Sequence, residues 1–158
     1  PYINRGISGQ TTPQMLLRFR QDVIDLKPEI VVILAGTNDI AGNTGPSTLE
    51  MISDNIKGMA ELAHANGIKV ILSSTLPAYD YPWKPGMEPA DKIIALNKMI
   101  KTYAEANNHI YLDYFSAMVD DRNGLPKKYA EDEVHPTTEG YKVMEPLVEQ
   151  AISKALNR

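Results

Sequence analysis

Ile30-Val31-Val32-Ile33-Leu34-Ala35-Gly36-Thr37-Asn38-Asp39 is the stretch on which the reading of this chain turns. Its unbroken apolar run, rich in β-branched residues, predicts a strand covered on both faces, as strands of parallel sheets are. Gly36 ends the run, and a loop of Gly, Asn and Pro continues to Pro46. In an open α/β sheet, ligands bind beyond the carboxyl ends of the strands, which is where this reading puts Asn38. An amide N–H aimed there can stabilise the negative oxygen of an acyl-transfer transition state.

Outward from this strand, extended and helical patterns alternate. Tyr2-Ile3 and Ile7 form a short extended segment that ends at Ser8-Gly9. Thr11 or Thr12 caps a helix with Pro13 in its first turn, Leu16, Phe19, Val23 and Leu26 recur at helical spacing, and Pro28 stops the run. Ser47 and Glu50 make a capping-box pattern before the stripe Leu49, Ile52, Ile56, Met59 and Ala63, which Asn66-Gly67 closes. Val70-Ile71-Leu72 is the next strand. A long loop follows, with Pro77, Pro82, Pro85 and Pro89 among Tyr79, Tyr81 and Trp83. Ile93, Leu96, Ile100 and Tyr103 form a second amphipathic stripe, and Ile110-Tyr111-Leu112 a last short strand. A final helix spans Thr138 to Leu156, with Pro146 inside it to kink or loosen one turn. The four strands alternating with helices predict an α/β fold, a parallel sheet with helices on both faces, in one domain over 1–158.

Composition narrows the function. With 43% hydrophobic and 23% charged residues, the 158-residue chain can build a substantial core under an ordinary charged surface. A net charge of −4, without a run of Lys or Arg, argues against a nucleic-acid surface. Zero cysteines exclude disulfides, thiolate metal sites and a cysteine nucleophile. Three scattered histidines make no metal site. No apolar stretch is long enough to span a membrane. The chain opens at Pro1 without Met, so targeting cannot be read; a secreted or periplasmic location is compatible with the composition.

Near the C-terminus stands Asp132-Glu133-Val134-His135-Pro136. Spaced three apart, a carboxylate reaches an imidazole on one turn of backbone, orients the ring and steadies its charge while it takes a proton from a hydroxyl. Asp132/His135 with Asn38 therefore reads as two parts of an ester-cleaving site. The serine nucleophile that would complete it is not evident.

Together, Asn4-Arg5-Gly6-Ile7-Ser8-Gly9-Gln10-Thr11, Gly36-Thr37-Asn38-Asp39 and Asp132-Glu133-Val134-His135-Pro136 resemble, in kind and order, the characteristic blocks of the SGNH (GDSL) hydrolases, a family of esterases and acylhydrolases. The resemblance covers essentially the whole chain. It implies a flavodoxin-like three-layer α/β/α fold with a five-stranded sheet, and catalysis without metal or organic cofactor. It makes His135 general base and then general acid, Asp132 its orienting partner, the Gly9 backbone N–H and the Asn38 side chain the oxyanion hole, and Gly36 and Asp39 supports of the site. The nucleophile it implies is the serine of a Gly-Asp-Ser block at the end of a first strand, upstream of Ser8-Gly9. No Gly-Asp-Ser occurs here. The expected partners are a small-molecule or glycan ester and an N-terminal segment of the same protein that completes the sheet, filling a slot between Tyr2–Ile7 and Ile30–Ala35.

Blander readings stand beside each of these. Asp132 can cap a turn, Asn38 can be an Asx-turn residue, and Ser8 reads as a turn serine rather than a nucleophile. Asp120 and Asp121 read as turn residues before Asn123-Gly124, and His64 and His109 as surface and structural histidines. Glu133 stands where the family often carries a small residue; it either raises the pKa of His135 or faces solvent. The aromatic loop is a packed lid or a substrate wall. The alternative to a serine esterase is a catalytically inactive module of the same fold that binds carbohydrate or an acylated ligand.

Overall fold

The structure, a computed structural model, describes residues 1–157. Three parallel strands form its sheet in the order β1 (Ile30–Ile33), β2 (Lys69–Ser73), β3 (Ile110–Leu112). Val31 pairs with Val70 and Leu72 with Tyr111, which fixes the registers. Helices α1 (Thr12–Leu17), α2 (Phe19–Asp22), α3 (Thr37–Ile40), α4 (Leu49–Ala65), α5 (Pro89–Ala106), α6 (Tyr114–Met118) and α7 (Thr138–Leu156) make up the rest of the regular structure.

The strand period of two divides the core into two layers. Ile33, Val70 and Leu72 pack with Ile52, Ile56 and Met59 of α4 and Ile93, Leu96 and Ile100 of α5. Ile71, Ile110 and Leu112 face the other way, onto Met118 of α6 and Met144, Ala151 and Ala155 of α7. The result is helix, sheet, helix, as the alternation of patterns predicts.

Several expectations are corrected. Tyr2–Ile7 forms no strand: these residues lie exposed along the surface, with Tyr2 87% accessible. The run at Ile30 is strand only to Ile33 and is not covered on both faces; Val32 and Leu34 remain 38% and 40% accessible, because α6 and α7 lie over β2 and β3. The outer edge of β1 pairs with no strand among the described residues, so the sheet has three strands rather than four. The helix after Thr11 is broken into α1, α2 and a 3-10 turn at Ile24–Leu26, with the left-handed Lys27 closing it ahead of Pro28. The cap of α4 is Thr48, whose hydroxyl accepts from Met51 N–H at 3.2 Å, one residue beyond the Ser47 box. α7 spans the predicted residues, Thr138–Leu156, and carries Pro146 within it.

Candidate active site

The turn Asp132–His135 is built by one carboxylate. Asp132 Oδ1 accepts from the backbone N–H of Val134 (3.0 Å) and of His135 (2.8 Å). Its Oδ2 lies 2.6 Å from His135 Nδ1. Burial pushes the Asp132 carboxyl up, but the His135 backbone N–H, the His135 ring and the Val134 N–H together pull it below the ordinary aspartate value. The ionised carboxylate accepts the Nδ1–H, which fixes the tautomer and leaves the Nε2 lone pair for proton abstraction. The capping reading and the orienting reading of Asp132 thus describe one side chain: each oxygen has its own task.

Glu133 adopts a left-handed backbone, φ 61°. Its carboxylate pairs with Arg122 at 2.5 Å and its side chain stays 31% accessible, so it faces solvent in part, bound to a guanidinium. The Arg122 guanidinium also covers the Tyr79 ring at 4.9 Å. Asp120, as expected, organises the turn that follows it, accepting from Arg122 and Gly124 N–H, each at 2.9 Å.

The second half of the site follows β1. Gly36 takes φ 115°, and a Cβ there would lie 2.7 Å from Leu96 Cδ2 and 3.0 Å from Thr75 Oγ1; the chain can turn here only without a side chain. Asn38 then donates one amide N–H to Gln10 O at 3.0 Å, while its Oδ1 accepts from Asn43 at 3.2 Å. These bonds fix the amide so that it cannot flip, and its second N–H remains for a ligand oxygen. Asn43 also donates to Gly9 O at 2.9 Å, so Gly9 (φ 77°) and Asn38 are held by one side chain. Asp39 is 2% accessible and accepts from Thr12 N–H (3.0 Å) and Thr12 Oγ1 (2.6 Å). Burial pushes its carboxyl up, opposed by the Thr12 bonds. Asp39 thereby ties the start of α1 to the loop after β1, behind the site.

The two halves meet at the carboxyl ends of the strands. Val134, beside His135, lines the same cavity as Gly6, Ile7, Gln10, Leu34 and Asn38. Sequence reasoning missed Gln10 and Asn43, which set the Asn38 amide, and left the aromatic loop unassigned. Only the asparagine density of the loop, Asn38 and Asn43 between glycines, hinted at such a lock. His64 and His109 lie together away from the site, ring centroids 5.8 Å apart, and no group of three or more metal-binding side chains occurs among the described residues.

A parallel sheet between helix layers thus carries an Asp–His pair and an anchored asparagine at its carboxyl edge. The profile of the GDSL-like Lipase/Acylhydrolase family matches residues 1–143, and the chain belongs to that family. A GDSL-like lipase from Bacteroides thetaiotaomicron VPI-5482 is 52% identical and superposes with TM-score 0.94, covering 98% of this chain and 76% of that one. Esterase TesA of Pseudomonas aeruginosa is 37% identical over 70 residues, 44% of this chain and 33% of that protein. Lipoprotein YqeF of Bacillus subtilis, whose function is uncharacterized, is 38% identical over 78 residues, 48% of this chain and 32% of that protein. The chain thus matches about a third of the length of these curated relatives.

Proposed function

We propose that this chain forms the larger part of a serine ester hydrolase. The observation that carries the reading is the Asp132–His135 pair at 2.6 Å, beside a cavity shared by Val134 and the anchored Asn38. In this mechanism His135 Nε2 takes the proton of a serine hydroxyl as its oxygen attacks the ester carbonyl carbon. The oxyanion is held by the spare Asn38 N–H and the Gly9 N–H. His135 gives its proton to the departing alcohol, and a water activated by the same imidazole releases the acid. The names lipase and esterase among the relatives support the reaction class. The substrate class is a carboxylic ester of a small molecule or glycan.

The serine belongs on a strand of an N-terminal segment of the same protein, docked along β1. Support for this comes from the edge of β1, unpaired among the described residues, and from exposed Val32 and, just past the strand, Leu34, since free backbone N–H and C=O groups on a sheet edge are a template for another strand.

The test is hydrolysis of p-nitrophenyl esters of graded chain length by the full-length protein. His135→Ala abolishes nearly all turnover. Asn38→Ala retains a remnant, because removal of one oxyanion donor costs about 10²–10³ in rate. Full activity of the His135→Ala protein overturns the mechanism.

A further inference from the structure

The His135 side chain is 68% accessible. Apart from the bond of Nδ1 to Asp132, its ring rests on Trp83, with centroids 5.5 Å apart at 37°. Trp83 is itself 49% accessible, yet its place is closely determined. It stacks on Tyr81, centroids 5.2 Å apart at 25°. Tyr81 is fully buried, and its hydroxyl donates to Thr37 O at 3.1 Å and lies 3.0 Å from Thr37 Oγ1. Thr37 is the neighbour of Asn38. The loop around this stack is pinned at both ends: Asp80 accepts from Tyr81, Gly86 and Met87 N–H, and Lys84 Nζ donates to Ala41 O at 2.9 Å. A continuous bracket therefore runs from the loop that carries the oxyanion donor, through Tyr81 and Trp83, to the imidazole.

We infer that Trp83, backed by Tyr81, is a positioning residue that fixes the His135 ring and sets its spacing from Asn38. The inference rests on the esterase reading of the site. An imidazole hung on one hydrogen bond keeps rotational freedom about its side-chain torsions. A general base works only with its nitrogen within hydrogen-bond reach of the hydroxyl. The indole removes that freedom by occupying the space into which the ring would swing. With the indole against it the His135 side chain is still 68% accessible, which leaves room for a hydroxyl to reach the ring.

Two measurements test this. In the full-length protein, Trp83→Leu lowers kcat on p-nitrophenyl acetate by about 10²-fold, the scale of a small misplacement of a catalytic group, with KM little changed. Trp83→Phe, which keeps a flat ring on His135, recovers most of the rate. A Leu variant with undiminished kcat, a loss confined to KM, or a Phe variant as slow as the Leu variant overturns the inference. The second measurement needs no activity. Trp83 is the single tryptophan of the chain. An imidazole in contact with an indole alters its emission, so at one fixed pH His135→Ala in the full-length protein changes the Trp83 emission, read as the part of the spectrum that Trp83→Phe removes. Identical Trp83 spectra with and without His135 overturn the contact and with it the bracket. If the full-length protein cleaves no ester while the spectra differ, the proposed function fails and the Trp83 contact stands.

Discussion

At the scale of single residues, two aspartates bracket the site with opposite electrostatics. Asp132 is held below its ordinary value by its hydrogen bonds; Asp39 is held above it by burial. A lowered carboxyl adds stability that is fully present above its unfolded pKa and is lost as pH falls through the folded one; a raised carboxyl adds stability at low pH that is lost as pH rises. As pH falls below about 4, the ordinary aspartate range, Asp132 therefore weakens the fold, whereas the Asp39 contribution grows on acidification only above that range and is already complete below it. Urea unfolding across this range should show a shallower acid loss for Asp132→Asn than for the parent chain. An equally steep loss would mean that other lowered carboxylates, such as Asp22 and Asp120, carry the acid sensitivity. Glu133 belongs to the same scale. A non-glycine residue in the left-handed region costs of order 1–3 kcal/mol when surrounding structure must hold it there, and here Arg122 supplies the hold.

At the scale of elements, the Asp132–His135 turn is fixed by the helix on its C-terminal side. α7 begins at Thr138, directly after His135-Pro136-Thr137, and its first turn presses on the segment before the site. Thr137 N–H donates to Tyr129 O at 2.8 Å, and a Cβ on Gly140 would lie 2.6 Å from that same oxygen and 3.0 Å from Pro136 Cβ. The oxygen is backbone and cannot swing aside, so Gly140→Ala forces α7 outward. Overpacking of this kind costs about 1–3 kcal/mol, read from the urea midpoint, and the displacement passes to His135 through the short link to α7. A Gly140→Ala protein of parental stability would show that α7 has slack at this contact. The loop after β1 is an element of the same kind, held by interlocking side chains rather than by regular structure: Asn38 to Gln10, Asn43 to Gly9, Thr44 to Thr11 and Asp39 to Thr12.

At the scale of the whole molecule, the asymmetry of the sheet matters most. Among the described residues β1 and β3 are both end strands, each paired only with β2, but helices lie over both faces of β3, whereas β1 leaves Val32, and Leu34 just beyond it, accessible, and Ile7 and Leu17 stand exposed elsewhere on the N-terminal part. An open, apolar edge strand invites pairing with another chain, and a lysine on it discourages that. The 158-residue chain should thus self-associate with rising concentration in sedimentation velocity, and Val32→Lys should suppress this. Equal association of both proteins would place the contact elsewhere. Association through this edge would also compete with the strand that the proposed mechanism requires there.

The sequence by itself determined the class of fold, three of its four expected strands, the long helices and the local Asp132–His135 pair. Each depends on residues close in the chain: strand and helix periods report burial directly, and a three-residue spacing places two side chains on one turn. It also carried the family, through blocks whose order survives without any knowledge of contacts. Tertiary structure alone decided the rest. The apolar pattern of Ile30–Ala35 records a demand for cover on both faces, but not whether other elements meet it; here they meet it on one. Tyr2–Ile7 has strand-like residues and no partner, and an extended segment becomes a strand only through hydrogen bonds to another. The orientation of the Asn38 amide, the pairing of Glu133 with Arg122 and the seat of Trp83 on His135 join residues far apart in the chain. No local period encodes such contacts, because their geometry exists only once the loops are packed against one another.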